Sequence, residues 1–281
     1  MNHTANHTAN HGTPSTPAMP MPDVQGRHDA RAMPISQVGV KHLRYPVALQ
    51  VGSQVQHSVG TWHIHVGLRA DQKGAHMSRL LSWLDAFTQD ASPVTLARLH
   101  HAMPQLLSLL EATSGGLSVT FPFFIRKTAP VSGLQSLMAY DGGWTVSHTA
   151  GGPTEVRMKA TVPVKSLCPC SKEVSDDGAH NQRSHIELDV LLHASLDWTE
   201  LVRFAEDNAS CELWGLLKRS DEKWVTERAY AQPKFVEDLV RDVALALEDE
   251  PRIAAYSVDV TNFESIHAHD VHARVARDKR A

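Results

Sequence analysis

Apolar and polar residues alternate through Gln54–Leu68, where SVGTWHIHVGL has the period of two expected of a strand with one buried face. Tyr45–Val51 predicts a strand before it, with order beginning between Pro34 and Tyr45. The period then changes. Leu80, Leu81, Leu84 and Phe87 form a helical stripe over Ser78–Thr88. A second helix is expected over Thr95–Thr113, ended by Gly115 and Gly116 and kinked or divided at Pro104. Strands follow at Leu117–Lys127 and Gly133–Val146, the second with the Gly142-Gly143 doublet near its end.

The second half gives a similar order. Strands Thr154–Val164 and Ser184–His193 flank a polar loop, and Asp197 is placed to cap a helix over Trp198–Asn208. Pro233 opens an amphipathic helix to Glu248 whose apolar side carries Phe235, Val236, Leu239, Val240, Val243 and Leu247. Tyr256–Asn262 alternates again as a strand. Each half therefore reads approximately as strand–strand–helix–helix–strand–strand. This is an α+β pattern built from antiparallel hairpins, with duplicated architecture but no sequence repeat.

Composition narrows the function classes. The 281 residues carry 27 Lys and Arg against 31 Asp and Glu, a net charge of −4, which argues against nucleic-acid binding through bulk positive charge. No run approaches the ~20 apolar residues that span a bilayer, so no membrane partner is expected. Met1–Pro22 has neither a basic leader nor an apolar run, and three cysteines cannot build a disulfide framework. A cytoplasmic location is the expectation. Of the 18 histidines, His3, His7, His11 and His28 fall in the first 34 residues. The NHTANHTANHG start lacks apolar periodicity and predicts a disordered tail over 1–34, read as solvated in preference to a transition-metal scavenger.

Candidate chemistry concentrates in three stretches. SLCPCSKEVSDDGAHNQRSH (166–185) holds Cys168 and Cys170 too close together for a zinc knuckle, between two expected strands. A thiolate there can bind a metal or act as a nucleophile; the alternative is a buried structural cysteine, which the polar neighbours Ser171, Lys172, Asp176, Asp177 and His180 disfavour. In the stretch 216–242, Asp238 is accounted for by the helix dipole, while Glu222 and Glu237 are each open to a role as metal ligand or polar anchor. NFESIHAHDVHA (262–273) offers three histidines with Glu264 and Asp270 as a metal region, and His267 and His269 would face opposite sides if the chain were extended.

Together, MPDVQ, VGVKHLRYPV, KGAHMSR, CPCSKEVSDDGAHNQRSH, LLKRSDEKWVTERAY, KFVED and ESIHAHD resemble, in order, the GTP cyclohydrolase IB family over Met21–Ala273. Ala75 departs from the family's usual threonine, and Ala231-Gln232 from its usual Glu-Asn. The resemblance implies a bimodular tunnelling fold, with modules near 42–147 and 154–273 within a 35–281 domain. It further implies a homotetramer that assembles barrels and places active sites at subunit interfaces. The implied reaction hydrolyses GTP to formate and 7,8-dihydroneopterin triphosphate, the first step toward tetrahydrofolate and related pterins.

By the same resemblance Cys168, Glu222 and His267 ligate a divalent metal ion, with zinc, manganese or ferrous iron all suited to the donor set. His180 is the implied general acid/base, with a metal-facing role left open. Glu237 is the implied anchor of the guanine edge. Cys170 is left between a supporting, a redox-sensitive and a structural role. Triphosphate contact and simple solvation are both open for Lys73, His76, Arg79, Lys172, Arg183, Lys218 and Arg219. The competing functions are another tunnelling-fold enzyme, such as a deazapurine nitrile reductase using NADPH, and a metal-buffering protein without catalysis.

Overall fold

Alternation becomes strand wherever one side of the backbone meets an apolar layer and the other meets water. In the computed structural model, which describes residues 22–281, this happens in eight strands. They are β1 (Ile35–Val51), β2 (Gln54–Leu68), β3 (Gly115–Thr128), β4 (Gln135–His148), β5 (Thr154–Leu167), β6 (Asn181–Leu192), β7 (Ile253–Asn262) and β8 (Val271–Asp278). They form one sheet in the order β1 to β8, every neighbouring pair antiparallel. Trp62, Ile64 and Val66 of β2 and Val156, Met158, Val162 and Val164 of β5 point into the buried face.

Helices α1 (Met77–Gln89), α2 (Leu96–Leu109), α4 (Trp198–Glu206) and α6 (Val236–Glu248) pack on that face, and α3 (Pro169–Val174) and α5 (Arg219–Ala231) lie in the connections around β6. The first half follows the expected strand–strand–helix–helix–strand–strand order. The second does not: it inserts α3 between β5 and β6 and carries three helices between β6 and β7. Helix α5 buries only Asp221, Val225 and Ala229, one residue per turn, too narrow a stripe to show as apolar periodicity. Pro233 lies in the lead-in to α6, whose N-cap is Phe235.

Pro104 leaves α2 unbroken. The proline and His100, whose carbonyl loses its partner, are both on the exposed side, while Leu99, Met103, Leu106 and Leu107 hold the helix to the core. Residues 1–21, the greater part of the expected disordered tail, lie outside the described residues. Within 22–34 the chain pairs with the loop after β2: the Asp29 N–H donates to the Asp71 carbonyl (2.9 Å) and the Gly74 N–H to the Gln25 carbonyl (3.2 Å). Among the described residues no helix is long and apolar enough to cross a membrane.

Trp198, the first residue of α4, is the centre of the core. Asp197 caps the helix by accepting from the Thr199 N–H, and Glu200 accepts from the Asp197 N–H. This drives the indole onto the sheet, edge-on to Phe121 at 5.4 Å and to Trp144 at 5.3 Å between ring centres. Gly142 makes the room, since a Cβ there would stand 2.9 Å from the Trp198 ring. The same helix closes a buried charge cluster: the Lys127 ammonium donates to Glu206 (2.8 Å) and pairs with Glu212 (2.5 Å), and the Tyr140 hydroxyl donates to Glu206. Burial pushes the Glu206 carboxyl up against the pull of Lys127.

Trp198→Ala removes a side chain that is 2% exposed from this aromatic cluster. It should cost roughly 3–5 kcal/mol, read as a lower urea midpoint with an unchanged m-value.

Candidate active site

Strand β5 ends at Leu167, and the loop that carries the two close cysteines returns the chain to β6 at Asn181. Cys168 is the N-cap of α3, and its Sγ accepts from the Ser171 N–H at 3.4 Å. The Cys168 N–H donates to the His180 carbonyl (3.1 Å), so the loop closes on itself beside the last rung of the β5–β6 ladder. Ser171 secures both ends: its hydroxyl donates to the Cys168 carbonyl (3.2 Å) and accepts from the His180 N–H (3.1 Å).

The His180 Nδ1 lies 3.1 Å from the Gln182 Oε1 and 3.3 Å from the Ser265 hydroxyl. An amide oxygen only accepts, so in the neutral ring Nδ1 carries the proton and Nε2 keeps the lone pair. That tautomer suits a proton acceptor or a metal ligand. Ser265 belongs to the segment between β7 and β8, which the Phe263 N–H ties to the Arg183 carbonyl at 3.0 Å. Beneath it, the hydroxyls of Ser166 and Ser184 are 2.8 Å apart and Ser184 donates to the Asn262 Oδ1 at 2.7 Å, a buried polar chain across β5, β6 and β7.

Helix α5 reaches the loop through a small core in which Leu167, Cys211, Val225 and Ala229 meet Ala179. The Lys172 ammonium donates to the Tyr230 carbonyl (2.6 Å) and lies over the Tyr230 ring. Glu222, on the first turn of α5, is exposed. Its neighbour Asp221 is the buried one, accepting from the Val131 and Ser132 N–H groups, the Ser132 hydroxyl and the Lys218 N–H. Burial works against ionisation of Asp221, but these donors outweigh it and hold the carboxyl well below its usual range. Glu237 is exposed on the first turn of α6, whose lead-in is pinned to the loop by the Lys234 N–H donating to the Leu167 carbonyl at 3.1 Å.

His267 and His269 depart from the extended geometry. Residues 265–269 are a series of bends, and the two rings stack with centres 5.3 Å apart, both exposed. Cys168 and His180 are thus fixed together, and the segments bearing Glu222, Glu237 and His267 are brought to the same end of the sheet. Among the described residues no three Cys, His, Asp or Glu side chains converge as a metal site, so Cys168, Glu222 and His267 do not form a closed coordination sphere within one chain. The donor chemistry nonetheless fits a borderline divalent ion. Glu264, next in the chain to the Ser265 that meets His180, has a buried Oε2 without a hydrogen-bond partner.

Sequence reasoning missed Ser171, Gln182 and Asp221 as positioning groups. The CPCS and HNQ spacings point to the first two once Cys168 and His180 are chosen. Nothing local separates Asp221 from Glu222.

A single antiparallel sheet with its helices on one face and its candidate chemistry at one sheet end defines a tunnelling-fold protein. Uricase from Arthrobacter globiformis shares that fold, with a TM-score of 0.52 at 9% identity over 86% of this chain and 93% of that one. Residues 21–273 match the family described as Type I GTP cyclohydrolase folE2. The GTP cyclohydrolase FolE2 proteins of Ralstonia nicotianae and Cupriavidus necator are each 53% identical over 264 residues, covering 94% of this chain and 97% of theirs. The chain belongs to the type I GTP cyclohydrolase FolE2 family, which selects the cyclohydrolase over the deazapurine nitrile reductase.

The three thiols should differ in reactivity. Burial pushes the Cys211 thiol up to about 11, whereas Cys170 is exposed. With iodoacetamide at pH 8, native protein should be alkylated at Cys170 and not at Cys211, with Cys211 labelled only after unfolding, as read by peptide mass spectrometry.

Proposed function

We propose that this chain hydrolyses GTP to formate and 7,8-dihydroneopterin triphosphate at the end of the sheet where Cys168 and His180 are held together. The observation that carries the reading is the closure of the 168–180 loop by Ser171, which fixes a thiol and a proton-accepting imidazole beside three carboxylate- and histidine-bearing segments.

The family resemblance supports Cys168, Glu222 and His267 as metal ligands, and their donor chemistry suits zinc, manganese or ferrous iron as the ion. When bound, such an ion supplies the Lewis acidity that makes water nucleophilic near neutral pH. His180, with Nδ1–H held by Gln182, takes a proton at Nε2 as water attacks carbon 8 of guanine and returns it to the departing ring nitrogen. Glu237 accepts from the N–H donors of the guanine edge, fixing the base. The later ring closure reuses the same proton acceptor.

Three features support the homotetramer with shared sites that the family resemblance implies. Among the described residues, strands β1 and β8 leave both edges of the sheet without a partner strand, which favours pairing with further copies. Exposed Val174, Phe235, Phe263 and Ile266 surround the candidate site, as an interface would require. Lys73, His76 and Arg79 follow the end of β2, which registers through β3 and β4 with the start of β5, a strand's length of about 40 Å from Cys168. Any contact of theirs with a triphosphate at Cys168 therefore comes from a second subunit.

Cys168→Ala should abolish formate release and lower metal occupancy while the assembled protein stays folded, and Cys170→Ala should be milder. Both are assayed with GTP after metal removal and reloading with zinc or manganese. A fully metallated, active Cys168→Ala protein beside an inactive Cys170→Ala protein would assign the chemistry to the other sulfur.

Glu237→Ala leaves guanine donors unpaired and should weaken GTP binding by roughly 1–3 kcal/mol with metal content unchanged. Calorimetry with GTP and metal analysis check the two halves of that statement. Lost metal with unchanged GTP affinity would exchange the anchor and ligand assignments.

A further inference from the structure

Lys172 makes contacts that neither triphosphate binding nor simple solvation explains. It lies on α3, half-buried, and its ammonium donates to the Tyr230 carbonyl at 2.6 Å while standing 4.3 Å from the centre of the Tyr230 ring. Its backbone N–H donates to the Cys168 carbonyl at 3.2 Å. One residue therefore joins the Cys168 turn to the last turn of α5. The Tyr230 carbonyl is among the last four of that helix, which have no regular partner within it. A cation there also meets the negative end of the helix dipole.

Helix α5 needs such a hold. It buries one residue per turn, Asp221, Val225 and Ala229, and so narrow a stripe resists sliding and rotation weakly. At its N-terminal end Asp221 accepts from the Val131 and Ser132 N–H groups of the β3–β4 turn. At its C-terminal end Lys172 supplies the corresponding tie to the Cys168 loop. Glu222 stands on the first turn, and the rise from it to Tyr230 is about 12 Å along the axis. A helix moves as a rigid element over that distance, so a shift at Tyr230 carries Glu222 with it.

We infer that Lys172 is a positioning residue that holds Cys168 and Glu222 in register with one another, and is not a contact to the triphosphate. This role rests on the reading in which both residues ligate the metal ion. Its effect has a different sign from that of charge. Lys172 is a cation, so removing it by charge alone would strengthen the binding of a divalent ion. Loss of the clasp does the opposite, because it lets two donors move apart and weakens that binding. Loss of a triphosphate contact would act on GTP and leave metal affinity in the absence of GTP no weaker.

The test is Co²⁺ titration of the metal-free, full-length protein without GTP, followed by the thiolate-to-cobalt absorption, beside steady-state kinetics with GTP at saturating Mn²⁺. Lys172→Met removes the donor and the charge. Lys172→Arg keeps both and can still lie over the ring, and Tyr230→Ala removes only the ring, which is 40% exposed. A thermal melt of each variant identifies loss of fold. Groups that orient metal ligands are typically worth roughly 10–100-fold in affinity, so Lys172→Met should bind Co²⁺ roughly ten-fold more weakly. Its kcat should fall with the KM for GTP unchanged, and Lys172→Arg should recover both Co²⁺ affinity and kcat. Tyr230→Ala should weaken Co²⁺ binding by itself and add nothing to Lys172→Met, as expected of two parts of one contact. Unchanged or tighter Co²⁺ binding in folded Lys172→Met, or a raised KM with unchanged kcat, overturns the proposal. So does unchanged Co²⁺ affinity in Tyr230→Ala, which keeps the test decisive if Lys172→Met fails to fold. Weaker Co²⁺ binding in Lys172→Met beside a wild-type protein that releases no formate from GTP would support the positioning role and overturn the reaction.

Discussion

The end of β5 is the constraint on which the candidate site depends. Leu167 is paired to Asn181 in the last rung of the β5–β6 ladder, its N–H donates to the Ser210 hydroxyl at 3.2 Å, and its carbonyl accepts from the Lys234 N–H at 3.1 Å. Its side chain fills the small core beneath α5. One residue thus ties together the loop that follows it, the chain after α4 and the lead-in to α6. A buried backbone group left unpaired there would cost about as much as a lost hydrogen bond, so each tie is held by the need to satisfy the others.

Among the described residues charge is buried at two places and is managed differently at each. At Asp221 four donors from two segments surround one carboxylate, which stays ionised and pins α5 to the β3–β4 turn. At Lys127 one ammonium lies between Glu206 and Glu212, under the Trp214 ring, and burial raises the Glu206 carboxyl. The first arrangement positions a helix that carries a candidate ligand. The second joins β3 to α4 and so connects the aromatic core around Trp198 to the segment leading into α5. Packing and electrostatics therefore meet along one path from the core to the site.

Among the described residues, the sheet with its one helix-covered face has an open polar face and two unpaired edges. The cross-strand row Thr61, Thr120, Gly143, Lys159, Asp189 and Ser257 runs over the open face, in keeping with contact to water or to another copy of the chain. The same geometry separates the motif after β2 from the motif after β5 by the length of the sheet. Family motifs that are neighbours in function need not be neighbours in one subunit.

Local periodicity determined most of the elements: β2 matches its alternation from Gln54 to Leu68, and α1, α4 and α6 follow their apolar stripes. That Cys168 and His180 share one short loop between two strands was legible as well. What sequence alone left undecided has a common physical cause. Helix α5, the choice between Asp221 and Glu222, and the stacking of His267 on His269 all depend on partners far along the chain. Asp and Glu are chemically alike in a DE pair, and only the turn at Val131–Ser132 selects which one is buried. A hydrophobic period records which face of an element meets the core. It carries no record of which loop a carboxylate or an imidazole will meet, because that is fixed by hydrogen bonds formed only once the sheet has assembled.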